Sequence, residues 1–173
     1  MIFILMGVAG SGKTTVGTML AAAMKCDFLE GDSLHSKENI DKMSYGIPLT
    51  DADRAPWLTA IHACILEVFK RGLDLVVGCS ALKQQYRKLL AKDVPITWVY
   101  LKGPPALIRA RLRSRPDHFM KADMVASQFE ALDEPADALV VDVSPPPKAI
   151  VEHILSQVRG PCHAGVAESP SKE

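Results

Sequence analysis

The feature that most constrains the fold is a glycine-rich segment, residues 7–14, that lies between an apolar run and an amphipathic stretch. Its sequence, Gly-Val-Ala-Gly-Ser-Gly-Lys-Thr, matches the pattern G-x-x-x-x-G-K-[S/T] at every fixed position. Residues 2–6 are all apolar, which is typical of a buried strand. Apolar side chains after Gly12 recur at helical spacing. The segment is therefore expected to connect a strand to a helix, the context in which this pattern binds phosphate groups.

This phosphate-binding loop (P-loop) predicts a site for ATP. Glycines let successive backbone N–H groups point at phosphate oxygens, and the N-terminus of the following helix adds partial positive charge. Lys13 is expected to reach the β- and γ-phosphates, and the Thr14 hydroxyl to bind Mg²⁺. The other residues of this region predicted to bind ATP are Gly7, Ala9, Gly10, Ser11, Gly12 and Thr15. GTPase switches share the loop, but their guanine-binding N-K-x-D segment is absent from the sequence.

Short apolar runs alternate with helical stretches along the rest of the chain. The predicted strands are residues 2–6, 27–30, 73–79, 96–101 and 138–141. Helices are predicted between them, including one capped by Asp53 and ended by Gly72, and another at 80–92. The alternation predicts an α/β fold of the P-loop NTPase type, with a five-stranded parallel sheet and helices on both faces.

Length and charge indicate one globular domain. Residues 1–160 are predicted to form a single P-loop domain, and the small, polar residues 161–173 a disordered tail. The 20 basic and 20 acidic residues cancel, so the composition gives no sign of a nucleic-acid or membrane surface. The first apolar run is too short for a signal peptide or a membrane span, and we expect a cytoplasmic location.

Two carboxylates, Glu30 and Asp32, follow the second predicted strand, at the edge where open α/β sheets bind their ligands. One could orient an acceptor hydroxyl and take its proton, and the other could hold a magnesium-bound water. Alternatively, both belong to a solvated loop that caps a helix. His35 fits a hydrogen bond to a substrate hydroxyl and fits a turn equally well.

Basic residues form two groups. Arg54, Lys83 and Arg87 lie near the ends of successive elements and could together clamp an anionic acceptor, although each alone is more often solvated. Arg111 and Arg115 are spaced i, i+4 and could share a helix face, one stacking on adenine and the other contacting the triphosphate. An exposed basic helix face is the alternative.

These segments resemble the gluconate kinases (gluconokinases), small-molecule P-loop kinases related to shikimate kinase and adenylate kinase. The resemblance covers about residues 2–158. Its most specific blocks are Gly31-Asp32-x-x-His35 and Cys79-Ser80-Ala81-Leu82-Lys83-x-x-Tyr86-Arg87. The other matching stretches are residues 6–14, 39–43, 46–51, 53–58, 100–103, 118–119, 128–132, 134–135 and 140–143.

The resemblance implies ATP-dependent phosphorylation of D-gluconate to 6-phospho-D-gluconate, with Mg²⁺, by a homodimer that has a mobile lid near residues 114–122. It implies that Lys13, Asp32 and Arg115 are catalytic, with Asp32 as the base for the acceptor hydroxyl. Arg111 is similar to the adenine-stacking arginine of these kinases, and Arg115 to their lid residue that contacts phosphate. The residues expected to contact gluconate are Asp32, His35, Arg54, Ser80, Lys83, Arg87 and Gln128. The alternatives are a kinase for another polyol acid such as shikimate, or a nucleotide-dependent binding module.

Overall fold

A computed structural model describes residues 1–114 and 125–158 of the chain. Five parallel strands form one sheet in the order β2-β3-β1-β4-β5. The strands are β1 (Ile2–Met6), β2 (Asp27–Glu30), β3 (Leu75–Gly78), β4 (Ile96–Lys102) and β5 (Leu139–Asp142). This confirms the predicted α/β fold with a five-stranded parallel sheet.

The helices lie in the connections between strands, as a parallel sheet requires. They are α1 (Lys13–Met24), α2 (Lys37–Ser44), α3 (Asp51–Lys70), α4 (Gln84–Leu90), α5 (Pro105–Arg113), α6 (Val125–Glu130) and α7 (Pro147–Val158), with a short 3₁₀ helix at Gly31–Leu34. In the described part of the chain, none of these helices has the length and apolar character needed to cross a membrane.

The central strand β1 is buried on both faces because its alternate side chains enter two separate cores. Phe3 and Leu5 pack in a core that includes Leu20 of α1 and Ile154 of α7. Ile2, Ile4 and Met6 enter the opposite core, whose helical members include Ile61, Ile65 and Leu90 from α3 and α4. Helices therefore cover both faces of the sheet, and the carboxyl ends of the strands meet at one edge.

The long helix α3 begins earlier than predicted. Thr50, and not Asp53, is its N-cap: the Thr50 hydroxyl accepts from the Asp53 backbone N–H, while the Asp53 carboxylate accepts from the Thr50 N–H. This reciprocal pair is a capping box, in which the acidic residue belongs to the first turn. Gly72 follows the helix in the left-handed conformation, as predicted. The Leu73 N–H still bonds to the helix carbonyl of Val68, so β3 starts later than expected.

Residues 80–83 form a loop and not the start of the helix predicted at 80–92. Ala81 has a φ of 42°, which a helix cannot accommodate, and Lys83 is the N-cap of α4 in an extended conformation. The loop projects from the carboxyl end of β3 toward the P-loop, and the Ser80 carbonyl accepts from the Gly7 N–H. Residues 115–122 of the predicted lid and the predicted tail at 161–173 lie outside the described residues.

Candidate active site

The P-loop turns sharply between β1 and α1 because three of its glycines adopt backbone angles that other residues avoid. Gly7 has a φ of 143°, Gly10 a φ of 81° and Gly12 a φ of 97°. A Cβ atom on Gly7 would lie 2.8 Å from the Leu101 carbonyl oxygen, and one on Gly10 would lie 2.8 Å from Cγ of Leu112. At Gly7 and Gly10, the available space and the backbone conformation therefore both require glycine. Packing of these residues against β4 and α5 fixes the shape of the loop.

Lys13 is the first residue of α1, and its side chain folds back over the P-loop. Its Nζ donates to the carbonyl oxygens of Gly7 and Val8, each at 3.1 Å, and the residue is only 8% exposed. The buried Ser11 hydroxyl has no hydrogen-bond partner among the described residues. This turn combines a buried ammonium group, a helix N-terminus and an unpaired hydroxyl. Such a site suits an anion.

The Thr14 hydroxyl donates to the carboxylate of Glu30 at the end of β2, with Oγ1 and Oε2 2.6 Å apart. In nucleotide sites Mg²⁺ takes one or two protein oxygens and keeps waters and phosphate oxygens as its other ligands. The two side chains therefore fit the predicted metal, with Thr14 as a direct ligand and Glu30 as a partner for a metal-bound water. Within the described residues, no group of three or more His, Cys, Asp or Glu side chains forms an all-protein metal site.

A cleft beside the P-loop, here called the inner cleft, gathers most of the residues predicted to bind the acceptor. Its polar lining consists of Lys13, Asp32, His35, Arg54, Ser80 and Gln128. Its apolar lining includes Ala9, Met43, Leu49, Trp57, Leu82 and Tyr86. The cavity thus joins the phosphate side of the site to a pocket that offers a carboxylate, an imidazole and a guanidinium group.

Trp57 holds the wall of the inner cleft that carries Asp32 and His35. Its indole Nε1 donates to the Gly31 carbonyl at 2.7 Å, and its ring stacks on the His35 imidazole with the centroids 4.2 Å apart. Burial lowers the pKa of His35, against the opposing effect of Asp32 and together with that of Arg54. The imidazole is therefore neutral at pH 7, and its buried Nδ1 has no partner among the described residues. Such a group suits a hydrogen bond to a substrate hydroxyl.

We expect the free energy of unfolding to fall as the pH is lowered from about 6.5 through the depressed pKa of His35. As the pH falls, His35 takes up a proton in the unfolded chain before it does so in the folded protein, so protonation favours unfolding. Above pH 6.5 the residue is neutral in both states, and its contribution to the free energy of unfolding is fully present. Urea denaturation between about pH 5 and 7 should show a shallower pH dependence in His35→Gln. The exposed His153→Gln serves as the control, and equal slopes in wild type and His35→Gln would contradict a neutral buried imidazole.

Arg54 extends from the first turn of α3 toward the ring of Tyr86. Its Nη1 donates to the Leu49 carbonyl, and its Cζ lies 5.9 Å from the centroid of the Tyr86 ring. Within residues 1–114 and 125–158, no carboxylate forms an ion pair with Arg54. Its charge is therefore available to an anion in the inner cleft.

Gln128 of α6 connects the inner cleft with the P-loop. Its Oε1 accepts from the Ala9 backbone N–H at 2.7 Å, and the residue is 9% exposed. Ser80 lines the cleft from the opposite loop, where its carbonyl bonds to Gly7. Both predicted acceptor residues thus contact the P-loop backbone directly.

The structure does not bring Lys83 and Arg87 into the inner cleft. Lys83 Nζ donates to both carboxylate oxygens of Asp51, at 2.7 and 3.0 Å. Arg87 is buried, and its Nη1 donates to the carbonyl oxygens of Ala81 and Leu82, each at 3.0 Å. Both cations thus bond to protein partners. Lys83 lines the cavity that adjoins the inner cleft, together with Asp51, Arg54 and Gln128, and a contact of either cation with an acceptor stays a prediction.

Arg111, which is predicted to stack on adenine, belongs to α5, the helix whose Leu112 packs against Gly10 of the P-loop. The Arg111 side chain, in the last turn of the helix, donates from Nη2 to the Val143 carbonyl at 2.7 Å. Thr15 is exposed in the first turn of α1. Arg115 lies outside the described residues.

Three comparisons with known proteins agree with this geometry. A family model described as an AAA domain matches residues 2–139. The thermoresistant gluconokinase of Escherichia coli is 40% identical over 163 residues, which span 91% of this chain and 93% of that protein. The gluconokinase of Gluconobacter oxydans is 47% identical over 135 residues, 78% of this chain and 76% of that protein. The chain belongs to the gluconokinase family. A solved gluconokinase structure from Sinorhizobium meliloti 1021 is 42% identical and superposes with a TM-score of 0.79 over 88% of each chain.

The site of this gluconokinase-family protein contains three residues that sequence reasoning did not propose: Asp51, Trp57 and Tyr86. Trp57 follows Arg54 by three positions in α3, and Tyr86 follows Lys83 by three, so helical spacing could have placed each near its neighbour. No local signal connects Asp51 with Lys83, which lies 32 residues further along the chain.

Cys79 lies beside the site of this gluconokinase-family chain, but its thiol is inaccessible. The residue is 0% exposed, and burial raises the pKa of the thiol to about 12. Because the thiolate is the reactive form, we expect the folded protein to protect Cys79 from oxidation and alkylation at neutral pH.

Proposed function

We propose that this protein transfers the γ-phosphoryl group of ATP to the 6-hydroxyl of D-gluconate, giving ADP and 6-phospho-D-gluconate. The observation that carries the proposal is the inner cleft, in which Lys13 of the P-loop shares one cavity with Asp32, His35 and Arg54. The names of the relatives at 40–47% identity support gluconate as the acceptor.

On the nucleotide side, the P-loop binds the phosphates through its backbone N–H groups and the N-terminus of α1. The Lys13 ammonium neutralises charge on the β- and γ-phosphates, where it favours the transition state. Arg111 is proposed to stack on adenine, and Arg115 to contact the phosphates. When bound at Thr14 and, through a water, at Glu30, Mg²⁺ would neutralise further phosphate charge.

On the acceptor side, Arg54 pairs with the gluconate carboxylate, and His35 bonds to a hydroxyl of the sugar chain. Asp32 orients the 6-hydroxyl in line with the γ-phosphorus. As the bond from the acceptor oxygen to phosphorus forms, the bond from phosphorus to the β–γ bridging oxygen breaks, and the hydroxyl proton passes to Asp32. Holding both reactants in one cavity supplies most of the acceleration, since phosphoryl transfer needs positioning and charge stabilisation more than covalent catalysis.

The family resemblance also supports several wider features. We propose that residues 1–160 act as a single kinase domain, that the chain forms a homodimer and that it works in the cytoplasm. Light scattering on the purified protein would measure the number of subunits.

A panel of acceptors tests the proposed activity. ADP release should require an acceptor and should be fastest with D-gluconate among the sugar acids and shikimate. D-Glucitol provides the matched control, because it has the hydroxyl chain of gluconate without the carboxylate that Arg54 would bind. If no acceptor changed the rate of ADP release, the result would contradict the proposed kinase activity and favour a nucleotide-dependent binding module. Faster turnover with shikimate would reassign the acceptor.

A further inference from the structure

The carboxylate of Asp51 joins the first turn of α3 to α4 at the outer wall of the inner cleft. It accepts hydrogen bonds from Lys83 Nζ, from the Tyr86 hydroxyl and, at 2.9 Å, from Gln85 Nε2. Lys83 and then Tyr86 lower the pKa of Asp51 to about 2, so the group is ionised throughout the neutral range. One exposed acid thus connects two elements that are separate in sequence.

Through Tyr86, the contacts of Asp51 extend into the inner cleft. Tyr86 is 6% exposed and lines the cleft, and the face of its ring lies 5.9 Å from Arg54 Cζ. The Tyr86 hydroxyl can donate to Asp51 only while the ring keeps this orientation. The guanidinium group of Arg54 is therefore held between the Tyr86 ring and the Leu49 carbonyl.

Asp51 also determines which positive charge the cleft offers. It pairs with Lys83, whose Nζ would otherwise lie free 5.7 Å from the same Tyr86 ring. Arg54 has no such carboxylate partner in the described part of the chain. The cation that remains for an anionic acceptor on this wall is a planar guanidinium group, which can bind a carboxylate through two parallel hydrogen bonds.

We propose that Asp51 is a positioning residue for the acceptor: it fixes the Tyr86 ring, and thereby Arg54, and it withholds Lys83 from the acceptor carboxylate. This inference rests on the proposed function, because it assumes an acceptor that carries a carboxylate. The side chains of Asp51 and Lys83 are 50% and 34% exposed, and ion pairs of this exposure add little to stability. The contribution of Asp51 therefore lies in geometry and not in holding the fold together.

Asp51→Asn tests the proposal by separating acceptor binding from turnover. We expect the KM for the acceptor to rise about tenfold, with kcat and the KM for ATP within about twofold of wild type and little change in Tm. Asp53→Asn is the matched control. Asp53 lies in the same first turn and pairs with Lys42, and the same kind of contact lowers its pKa to about 2, but its carboxylate bonds to Lys42 and Thr50 instead of Lys83 and Tyr86. An equal rise in KM for Asp53→Asn would overturn the proposal.

Tyr86→Phe provides a second, independent arm, because it keeps the ring and removes only the hydroxyl that bonds to Asp51. Its KM for the acceptor should also rise. In the double variant with Asp51→Asn, the KM for the acceptor should be no more than about twofold above the higher of the two single-variant values. Additive effects would overturn the coupling between Asp51 and Tyr86. Unchanged acceptor KM in Asp51→Asn, measured beside an active wild type, overturns the inference and leaves the proposed function intact. A wild type without acceptor-dependent ADP release overturns both.

Discussion

Replacing Lys13 with alanine is expected to lower kcat by about 10²-fold or more, comparable with the loss of one preorganised charge-stabilising group. The Lys13 ammonium is buried over the P-loop and bonds to the carbonyl oxygens of Gly7 and Val8. Its charge is therefore fixed before the reaction, and water cannot replace it at the same position. Steady-state kinetics with saturating ATP and gluconate measure the loss.

The control for this variant is Lys70→Ala, at the exposed C-terminal end of α3 and so near the opposite edge of the sheet. It removes the same side chain and should leave kcat and both KM values within about twofold of wild type. Circular dichroism should show that both variants fold. Wild-type turnover in Lys13→Ala would contradict the assignment of the P-loop as the site of phosphoryl transfer.

Asp32→Asn is expected to reduce kcat by about 10²-fold or more while leaving ATP affinity nearly unchanged, because general base catalysis contributes about 10²–10⁴-fold in enzymes. Asparagine preserves the shape of the side chain but cannot accept the hydroxyl proton. Asp32 lies in the 3₁₀ helix after β2 and lines the inner cleft with Lys13, so it faces the acceptor and the phosphates together.

Calorimetric titration with a non-hydrolysable ATP analogue separates the two possible roles of Asp32. Affinity close to that of wild type supports the acceptor role, whereas a collapse in affinity would assign Asp32 to the nucleotide site. Asp27→Asn is the matched control, since Asp27 is the exposed first residue of β2, at the end of that strand far from Asp32. It should change neither turnover nor binding.

The sequence predicted those parts of the molecule that depend on local pattern. The P-loop glycines, the five strands and their parallel arrangement follow from spacing and from the alternation of elements. Asp32 and Arg54 could be proposed as acceptor-binding residues because Asp32 follows a predicted strand and Arg54 lies at the start of a predicted helix. The carboxyl ends of parallel strands meet at one edge of the sheet, where such residues come together. The structure places both in the inner cleft.

Side-chain pairing could not be predicted, because it depends on contacts between distant segments. No local pattern indicated that Lys83, which is predicted to bind the acceptor, pairs with Asp51 of another helix. Nor did any local pattern indicate that the guanidinium group of Arg87 donates to the carbonyl groups of Ala81 and Leu82. The N-cap of α3 was misassigned because Thr50 and Asp53 are both good capping residues, and only the reciprocal hydrogen bonds distinguish their roles.

Ala81 carries a consequence for how one wall of the site depends on the rest of the fold. Its left-handed backbone is unfavourable for alanine, so residues 80–83 have no local preference for the shape they adopt. The guanidinium group of Arg87, which belongs to α4, maintains that shape by bonding to the Ala81 and Leu82 carbonyls. The wall that presents Ser80 therefore depends on the packing of α4, which lies outside the loop itself. Acceptor binding at this wall is in this way coupled to the integrity of a helix that need not touch the acceptor.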